Sequence, residues 1–185
     1  MKSKKAKIFV LPTDTLYGIC ASAFCKEMVE KIYDIKGRNE KKPFIILISN
    51  PMDLEKFGIS KTFLKAHKEL LEKVWPGKIS VILPISDNRF AYLHRGKKSL
   101  AFRMPRKKSL QMILKKTGPL VAPSANPEGL KPAQTIREAK AYFGDKVDVY
   151  VSGGRLTGAP STIIEIAKNG YVKLVREGRV KVSLS

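Results

Sequence analysis

The sequence predicts a single α/β domain with a largely parallel sheet whose last strands are antiparallel. Short apolar runs, typical of buried strands, alternate with segments in which apolar residues recur at helical spacing. The chain has 185 residues, 43% hydrophobic and 28% charged, which suits one globular core. No apolar run approaches the roughly 20 residues of a membrane span. We therefore expect a basic N-terminal tail over residues 1–6 and one domain over residues 7–185.

Eight strands are predicted, each a short apolar run bounded by proline, glycine or polar residues. They cover residues 8–11, 44–48, 79–85, 99–103, 119–122, 147–151, 161–166 and 171–175. The first ends at Pro12, because a proline cannot continue a central ladder. The late strands follow one another through short connections, which favours antiparallel pairing there.

Four or five helices are predicted between these strands. Residues 27–35 place apolar side chains on one helical face, and a second helix runs from a Ser60 cap to Trp75 before a Pro-Gly stop. The Trp75 side chain is expected in the core. Another helix is predicted around residues 110–114. A last helix is predicted to begin at Thr135, because Thr135 and Glu138 have the spacing of a capping box.

The charge is strongly basic and unevenly spread. The formal net charge is +20, and no acidic residue occurs between Asp87 and Glu128. The same window contains Arg89, Arg95, Lys97, Lys98, Arg103, Arg106, Lys107, Lys108, Lys115 and Lys116. Such a field attracts polyanions, either nucleotide phosphates or a nucleic acid backbone.

Cysteine and histidine are too sparse for several common chemistries. Two cysteines and two histidines, without metal-ligand spacing, make zinc chemistry and Ser-His-Asp catalysis improbable and give no disulfide scaffold. The lysine-rich start leads straight into a strand and has no signal-peptide core. These features predict a reduced, cytoplasmic protein.

Three cations flank the predicted connection between the first helix and the second strand. Lys36, Arg38 and Lys42 lie there with a glycine that frees the backbone to turn. Arginine offers a planar fork of donors and lysine a point charge, a usual pairing for phosphate. A solvated basic loop is the alternative, since most charge runs are only that.

Other polar residues lie at predicted strand boundaries, where ligands bind in α/β sheets. They are Thr15, Arg103, Ser124, Ser161 and Arg176. This inventory of arginine, lysine, hydroxyl and amide groups suits binding and electrostatic stabilisation, which carry most of phosphoryl or nucleotidyl transfer. A standard P-loop motif is absent. From these residues alone we expect a nucleotide- or nucleic-acid-binding α/β domain.

Seven short motifs occur in one order. They are PTDTLYG at 12–18, KGR at 36–38 with KP at 42–43, WPG at 75–77, SLAFR at 99–103, PSAN at 123–126, ST at 161–162 and REG at 176–178. Over about residues 7 to 180 the chain thereby resembles the YrdC/Sua5 family, the threonylcarbamoyl-adenylate synthases. Its length is similar to that of the short, TsaC-type members, without room for the C-terminal domain of the Sua5 type.

The resemblance implies a nucleotidyltransferase that makes threonylcarbamoyl-adenylate and pyrophosphate from L-threonine, bicarbonate and ATP. Mg²⁺ would arrive with ATP, with no metal ligand from protein side chains. The product would serve t6A modification of tRNA through a partner threonylcarbamoyl-transferase complex. The family fold is a twisted, mixed sheet with flanking helices and a basic concave face.

The same resemblance implies roles for individual residues. The family's catalytic positions fall on Lys36, Arg38, Ser124 and Asn126. Its threonine-binding positions fall on Thr15, Arg103, Ser124 and Ser161. Its ATP-binding positions fall on Lys36, Arg38, Lys42, Ser99, Asn126 and Arg176. In this assignment Arg103 takes the threonine carboxylate, and Lys36, Arg38 and Arg176 neutralise phosphates.

The chain departs from the family pattern at four places. Asn39 replaces a proline of many members, and Leu47 replaces a histidine that contacts threonine in some. The loop after Asn126 reads Pro127-Glu128-Gly129 instead of x-Ser-Gly. The helix that usually precedes the first strand is missing.

Two further interpretations remain open at this point. One is a non-catalytic RNA-binding or ribosome-assembly module that uses the basic face, with non-specific, salt-sensitive binding to RNA or tRNA. Few aromatic residues accompany the basic window for base stacking. The other is a carbamoyl-adenylate domain that serves a different acceptor.

Overall fold

A computed structural model describes residues 6–182 and places nine strands of that range in one sheet. The strands are β1 Phe9–Pro12, β2 Tyr17–Ser22, β3 Ile45–Leu47, β4 Ile79–Pro84, β5 Ser99–Arg103, β6 Leu120–Val121, β7 Val149–Tyr150, β8 Thr162–Ile166 and β9 Val172–Arg176. Their order across the sheet is β7-β1-β2-β6-β3-β5-β4-β8-β9. The predicted basic tail, apart from Ala6, lies outside the described residues.

The sheet is mixed, as the family resemblance implies. The pairs β1–β7, β3–β5 and β4–β8 are parallel, whereas β1–β2, β2–β6, β3–β6, β4–β5 and β8–β9 are antiparallel. The expectation of a largely parallel sheet is therefore wrong. Interleaved helices do not guarantee parallel neighbours here, because several consecutive strands lie apart in the sheet. The late pair β8–β9 is antiparallel, as its short connection predicts.

The helices flank the sheet between strands. They are α1 Lys26–Lys36, α2 Lys61–Ala66, α3 Lys68–Val74, α4 Ala91–His94, α5 Lys108–Thr117 and α6 Ile136–Phe143. Short 3₁₀ helices cover Pro51–Phe57, Asn88–Phe90 and Gly144–Lys146. Thr135 caps α6 as predicted, since its hydroxyl accepts a hydrogen bond from the Glu138 amide at 3.2 Å. Among the described residues no helix is long and apolar enough to cross a membrane.

Sequence reasoning missed strand β2. Its residues Tyr17–Ser22 pair antiparallel with β1, with Pro12 opposite Tyr17, so the PTDTLYG motif is the turn of a hairpin. The strand contains glycine, cysteine, alanine and serine, most of which have weak intrinsic β preference. Burial between two neighbours, rather than propensity, makes it a strand.

The predicted helix over residues 60–75 is divided at His67. Ser60 does cap it, accepting from the Phe63 amide at 3.2 Å, but α2 and α3 are separate helices. Leu71 and Val74 of α3 are buried, while Phe63, Leu64 and Leu70 are only half-buried. Trp75 is buried as expected, and its Nε1 donates to the Ile79 carbonyl at 2.9 Å.

The two faces of the sheet are covered unequally. Alternate strand residues such as Val10 and Ile46 contribute to the main core, which includes α1, while Leu11 and Leu47 join a smaller cluster with Leu110 of α5. Helix α5 covers only one part of its face. The uncovered part of that face, over β5, β4 and β8, is available for a ligand.

Candidate functional site

A cavity of about 650 Å³ lies on the sheet face that α5 leaves uncovered. Its floor is a row of residues in register across four strands, Ile45, Ala101, Ile82 and Glu165. The turn after β1, the loop after β6 and the loop before β8 form its walls. A cavity of this size suits a ligand as large as a nucleotide.

Most of the residues predicted for the site line this cavity. They are Thr15, Arg38, Ser99, Arg103, Ser124, Ser161 and Arg176. Lys36, Lys42 and Asn126 do not line it: Lys36 ends α1, Lys42 lies in the loop after α1, and Asn126 lies in the loop after β6. The structure thus brings together residues that lie as far apart in sequence as Thr15 and Arg176, while their individual roles stay predictions.

One corner of the cavity is built around Arg103. This residue ends β5 and is 4% exposed, and its Nη1 donates to the carboxylate of Asp14, which also accepts from the Arg106 amide at 3.3 Å. The Arg103 Nε has no partner among the described residues. The ion pair therefore fixes the guanidinium and leaves a buried donor unused.

The turn that supplies Asp14 is held by its own side chains. The Thr13 hydroxyl accepts from the amides of Thr15 and Leu16 at 3.1 and 3.2 Å and donates to the Leu16 carbonyl at 2.6 Å. The hydroxyls of Thr13 and Thr15 are 3.1 Å apart. The side chains of Thr13 and Thr15 therefore stabilise the turn, and Thr15 also lines the cavity.

A second corner, beside the cavity and behind Ser124, is built around Lys36, the last residue of α1. Gly37 takes a left-handed conformation with φ 57°, which ends the helix and turns the chain. The Lys36 Nζ donates to the Ser124 carbonyl at 2.7 Å and to the Asn126 carbonyl, and the side chain is fully buried. Burial, with a smaller contribution from the Arg38 charge, lowers the pKa of Lys36 to about 7.

The other two cations of this corner point in different directions. The Arg38 Nε donates to the Lys42 carbonyl at 3.1 Å, and its guanidinium lies 5.3 Å from the centre of the Phe44 ring at the cavity wall. Lys42 is exposed and forms an ion pair with Glu128. The three cations share one loop, but only Arg38 reaches the cavity itself.

The loop after β6 is fixed from both sides. The Ala125 amide donates to the Tyr17 carbonyl at 2.8 Å, and Gly18 forms a bridge with Ser124. The Asn126 Nδ2 donates to the carbonyls of Pro127 and Leu130, both at 2.8 Å. The Oδ1 of Asn126 is buried without a partner among the described residues.

The loop before β8 packs closely against the β1–β2 turn. The Tyr17 hydroxyl donates to the Gly154 carbonyl at 2.7 Å, and a Cβ added at Gly158 would lie 2.4 Å from the Thr15 carbonyl oxygen. The Ser161 hydroxyl is 2.9 Å from that of Ser80, and only glycine fits where the loop passes Thr15. This segment therefore packs in one position against the turn, and its last residues, Pro160 and Ser161, line the cavity.

Several functional candidates were missed or misjudged from sequence. Asp14 was noted only as a nearby carboxylate, and its pairing with Arg103, 89 residues away, had no local signal. Lys97 and Glu165 also line the cavity. Alternation in β8, where Ile163 and Glu165 share a face, could have indicated the second of these. Leu47, at the position of the family's histidine, is fully buried in the α5 cluster.

Comparison with known proteins agrees with this architecture. The family model for the Sua5/YciO/YrdC domain, described as telomere recombination, matches residues 2–178. A threonylcarbamoyl-AMP synthase of Marinobacter nauticus is 32% identical over 86% of this chain and 84% of that protein. Those of Pyrococcus abyssi and Bacillus subtilis are 31% and 32% identical over 89% and 96% of this chain. This chain spans about half the length of these last two, 48% and 51%.

Solved structures have the same fold. P. abyssi Sua5 complexed with L-threonine superimposes with a TM-score of 0.83 at 29% identity, over 93% of this chain and 50% of that one. Escherichia coli YciO gives a TM-score of 0.79 at 23% identity, over 95% and 84% of the two chains, which speaks for the fold alone. The ordered motifs, the sheet and the match over nearly the whole chain lead to one conclusion: the chain belongs to the Sua5/YciO/YrdC family.

Proposed function

We propose that this protein synthesises threonylcarbamoyl-adenylate from L-threonine, bicarbonate and ATP, with release of pyrophosphate. The observation that carries the proposal is that one cavity of about 650 Å³ is lined both by the fixed, buried Arg103 and by Arg38 of the cationic loop. An amino acid and a nucleotide need these two kinds of partner. Family membership and the names of the similar proteins support the same reaction.

The threonine would bind at the Arg103 corner. Its carboxylate suits the guanidinium, whose Nε is unused, while the hydroxyls of Thr15, Ser124 and Ser161 line the space beside it. Asp14 would keep the arginine in place. Threonine would thereby be held by its charged end at the rim of the sheet.

The nucleotide would bind toward the cationic loop. Arg38, Ser99 and Arg176 line the cavity, where Arg176 donates to the Ser161 carbonyl at 2.8 Å, and Lys36, Lys42 and Asn126 lie beside it. In the reaction, the threonine amine and bicarbonate form a carbamate with loss of water. A carbamate oxygen attacks the α-phosphorus as the α–β anhydride bond breaks, and the cations stabilise the departing pyrophosphate.

Magnesium would enter with the nucleotide. The cavity wall presents guanidinium and hydroxyl groups, a donor set that suits phosphate oxygens, and a phosphate-bound Mg²⁺ would add further charge neutralisation. No cluster of three or more His, Cys, Asp or Glu side chains fit for a metal ion occurs in residues 6–182. The proposed steps use only this chain's own cations.

The proposal extends to the setting of the reaction. A nucleotidyltransferase of this type would work in the cytoplasm and pass its product to a threonylcarbamoyl-transferase complex that modifies tRNA. Non-specific RNA binding through the basic stretch between Asp87 and Glu128 would help retain it near that substrate.

The test of the function is pyrophosphate release from ATP with threonine and bicarbonate added or omitted. We expect release only when all three substrates are present. Serine should be a poorer substrate by about tenfold or more in kcat/KM, because a missing methyl contact costs about 1–3 kcal/mol. Release with ATP alone, or none with the full mixture, contradicts the proposal.

Arg103→Lys tests the assignment of the corners. A lysine keeps the charge but loses the fork, so the KM for threonine should rise about tenfold or more, since a charge-assisted hydrogen bond contributes about 1.5–3 kcal/mol. The KM for ATP should change much less. If ATP binding fails while threonine binding is intact, the two ligands have been assigned to the wrong corners.

A further inference from the structure

Glu128 occupies the cationic loop in a way that the proposed function does not use. Its carboxylate accepts a hydrogen bond from the Asn39 amide through one oxygen and from the Lys42 ammonium through the other. The contact joins the loop after α1 to the loop after β6, 86 to 89 residues further along the chain.

The groups around this carboxylate are those that usually bind phosphate. A backbone N–H and an ammonium contact it directly, and the positive charge of Arg38 lies close enough to act on it. Hydrogen bonds from Lys42 and the Asn39 amide, with the Arg38 charge, hold the pKa of Glu128 below its ordinary value. Glu128 therefore remains an anion at neutral pH and fills an anion position.

The backbone of Glu128 is held by a hydrogen bond, whereas its carboxylate is partly exposed to solvent. Its amide donates to the Lys36 carbonyl at 2.8 Å, so the residue stays beside the loop whatever its side chain does. The side chain is 28% exposed and its lysine partner 57% exposed. Exposed ion pairs of this kind are weak and are exchanged readily for other partners.

We propose that Glu128 is an internal counter-anion of this loop, which the phosphates of a bound nucleoside triphosphate displace from Lys42 and the Asn39 amide. The inference rests on the proposed function, because it takes ATP as the ligand of the loop. Glu128 is a positioning residue: without nucleotide it holds the loop in shape, and its removal frees Lys42 for phosphate.

The binding test compares ATP with AMP on four proteins: wild type, Glu128→Gln, Lys42→Gln and the double variant. Glu128→Gln should bind ATP about two- to fivefold more tightly, with AMP affinity nearly unchanged, since AMP lacks the outer phosphates. In the Lys42→Gln background the same change should bring no gain. The gain should also shrink as salt is raised.

The matched control is Glu40→Gln, which removes one exposed carboxylate from the same loop. If it tightens ATP binding as much as Glu128→Gln, the effect is only net charge and the proposal fails. Weaker ATP binding by Glu128→Gln, or a gain that persists without Lys42, also overturns it.

A second readout needs no nucleotide and separates this inference from the proposed function. Exchange of the Asn39 amide with solvent should be about fivefold or more faster in Glu128→Ala, which removes the acceptor, than in wild type, with Glu40→Ala like wild type. Equal exchange in all three proteins shows that Glu128 does not hold the loop. If the exchange differs as expected while wild type binds no ATP, the contact between Glu128 and the Asn39 amide is confirmed and the proposed ATP-dependent function is wrong.

Discussion

Two charged contacts, one at the cavity and one in the loops beside it, have similar chemistry and different surroundings. The side chains of Arg103 and Asp14 are 5% and 8% exposed, whereas those of Lys42 and Glu128 are 57% and 28% exposed. The first pair joins β5 to the turn after β1, and the second joins two loops. Both link segments nearly 90 residues apart in sequence.

The difference shows what burial does to an ion pair. Removal of one partner from a buried pair leaves the other charge without water or counter-ion, which is costly. An exposed pair is solvated on both sides, so its loss changes little. We infer that the Arg103 corner provides fixed geometry and that the Lys42 corner can exchange partners.

Asp14→Ala should give the largest effect on stability. Arg103 would be left buried and unpaired, and the free energy of unfolding should fall by about 3–5 kcal/mol. Denaturant titration measures this, and Asp14→Asn, which keeps an acceptor of the same shape, should lose less. A loss below about 1 kcal/mol would mean that the corner is more hydrated than its burial indicates.

Lys36 should make ATP binding depend on pH. In the free protein its pKa is about 7, while phosphates nearby would favour the charged form and raise the pKa in the complex. Below pH 7 the lysine is already charged. Above pH 7 binding must take up a proton, so affinity should fall by up to about tenfold per pH unit.

Calorimetry in buffers of different ionisation enthalpy measures this proton directly. At pH 8 we expect uptake of nearly one proton per ATP in wild type and almost none in Lys36→Met. Equal uptake by the two proteins would place the linked proton elsewhere.

The same pKa shift gives a prediction without ligand. Between about pH 7 and 10.5 the unfolded chain binds a proton at Lys36 that the native protein does not. The free energy of unfolding should therefore rise with pH across this window, and Lys36→Met should lack this contribution. Parallel urea titrations of the two proteins at pH 7 and pH 9.5 provide the measurement, and a fall in the wild-type contribution would reverse the sign assigned to burial.

Lys42→Ala should have the smallest effect on stability. Its pair with Glu128 is exposed, so the free energy of unfolding should change by less than about 1 kcal/mol. Denaturant titration of Lys42→Ala and Asp14→Ala in the same buffer compares the two losses in the free energy of unfolding directly. A loss as large as that of Asp14→Ala would remove the distinction between the two corners.

Local signals predicted local structure well. The caps at Ser60 and Thr135, the buried Trp75 and the positions of most strands follow from neighbouring residues, and each is present. Strand β2 was missed because its small side chains give no β pattern, and its burial depends on β1 and β6.

The lining of the cavity was predictable in part, and its contacts were not. Seven of the ten residues named from the motifs line the cavity, because residues at strand boundaries meet at one crevice. No local pattern indicates that Lys36 donates to the carbonyls of Ser124 and Asn126, or that Asp14 pairs with Arg103. These contacts depend on the strand order, because the strand order places loops that are distant in sequence next to each other.

The buried lysine at the end of α1 also bears on how the chain folds. Its two acceptors lie 88 and 90 residues further along, beyond most of the strands that form the sheet. Closing so long a loop costs entropy that only the assembled sheet can offset. During synthesis on the ribosome, therefore, α1 can form early, but its lysine reaches its acceptors only after the loop beyond β6 has emerged.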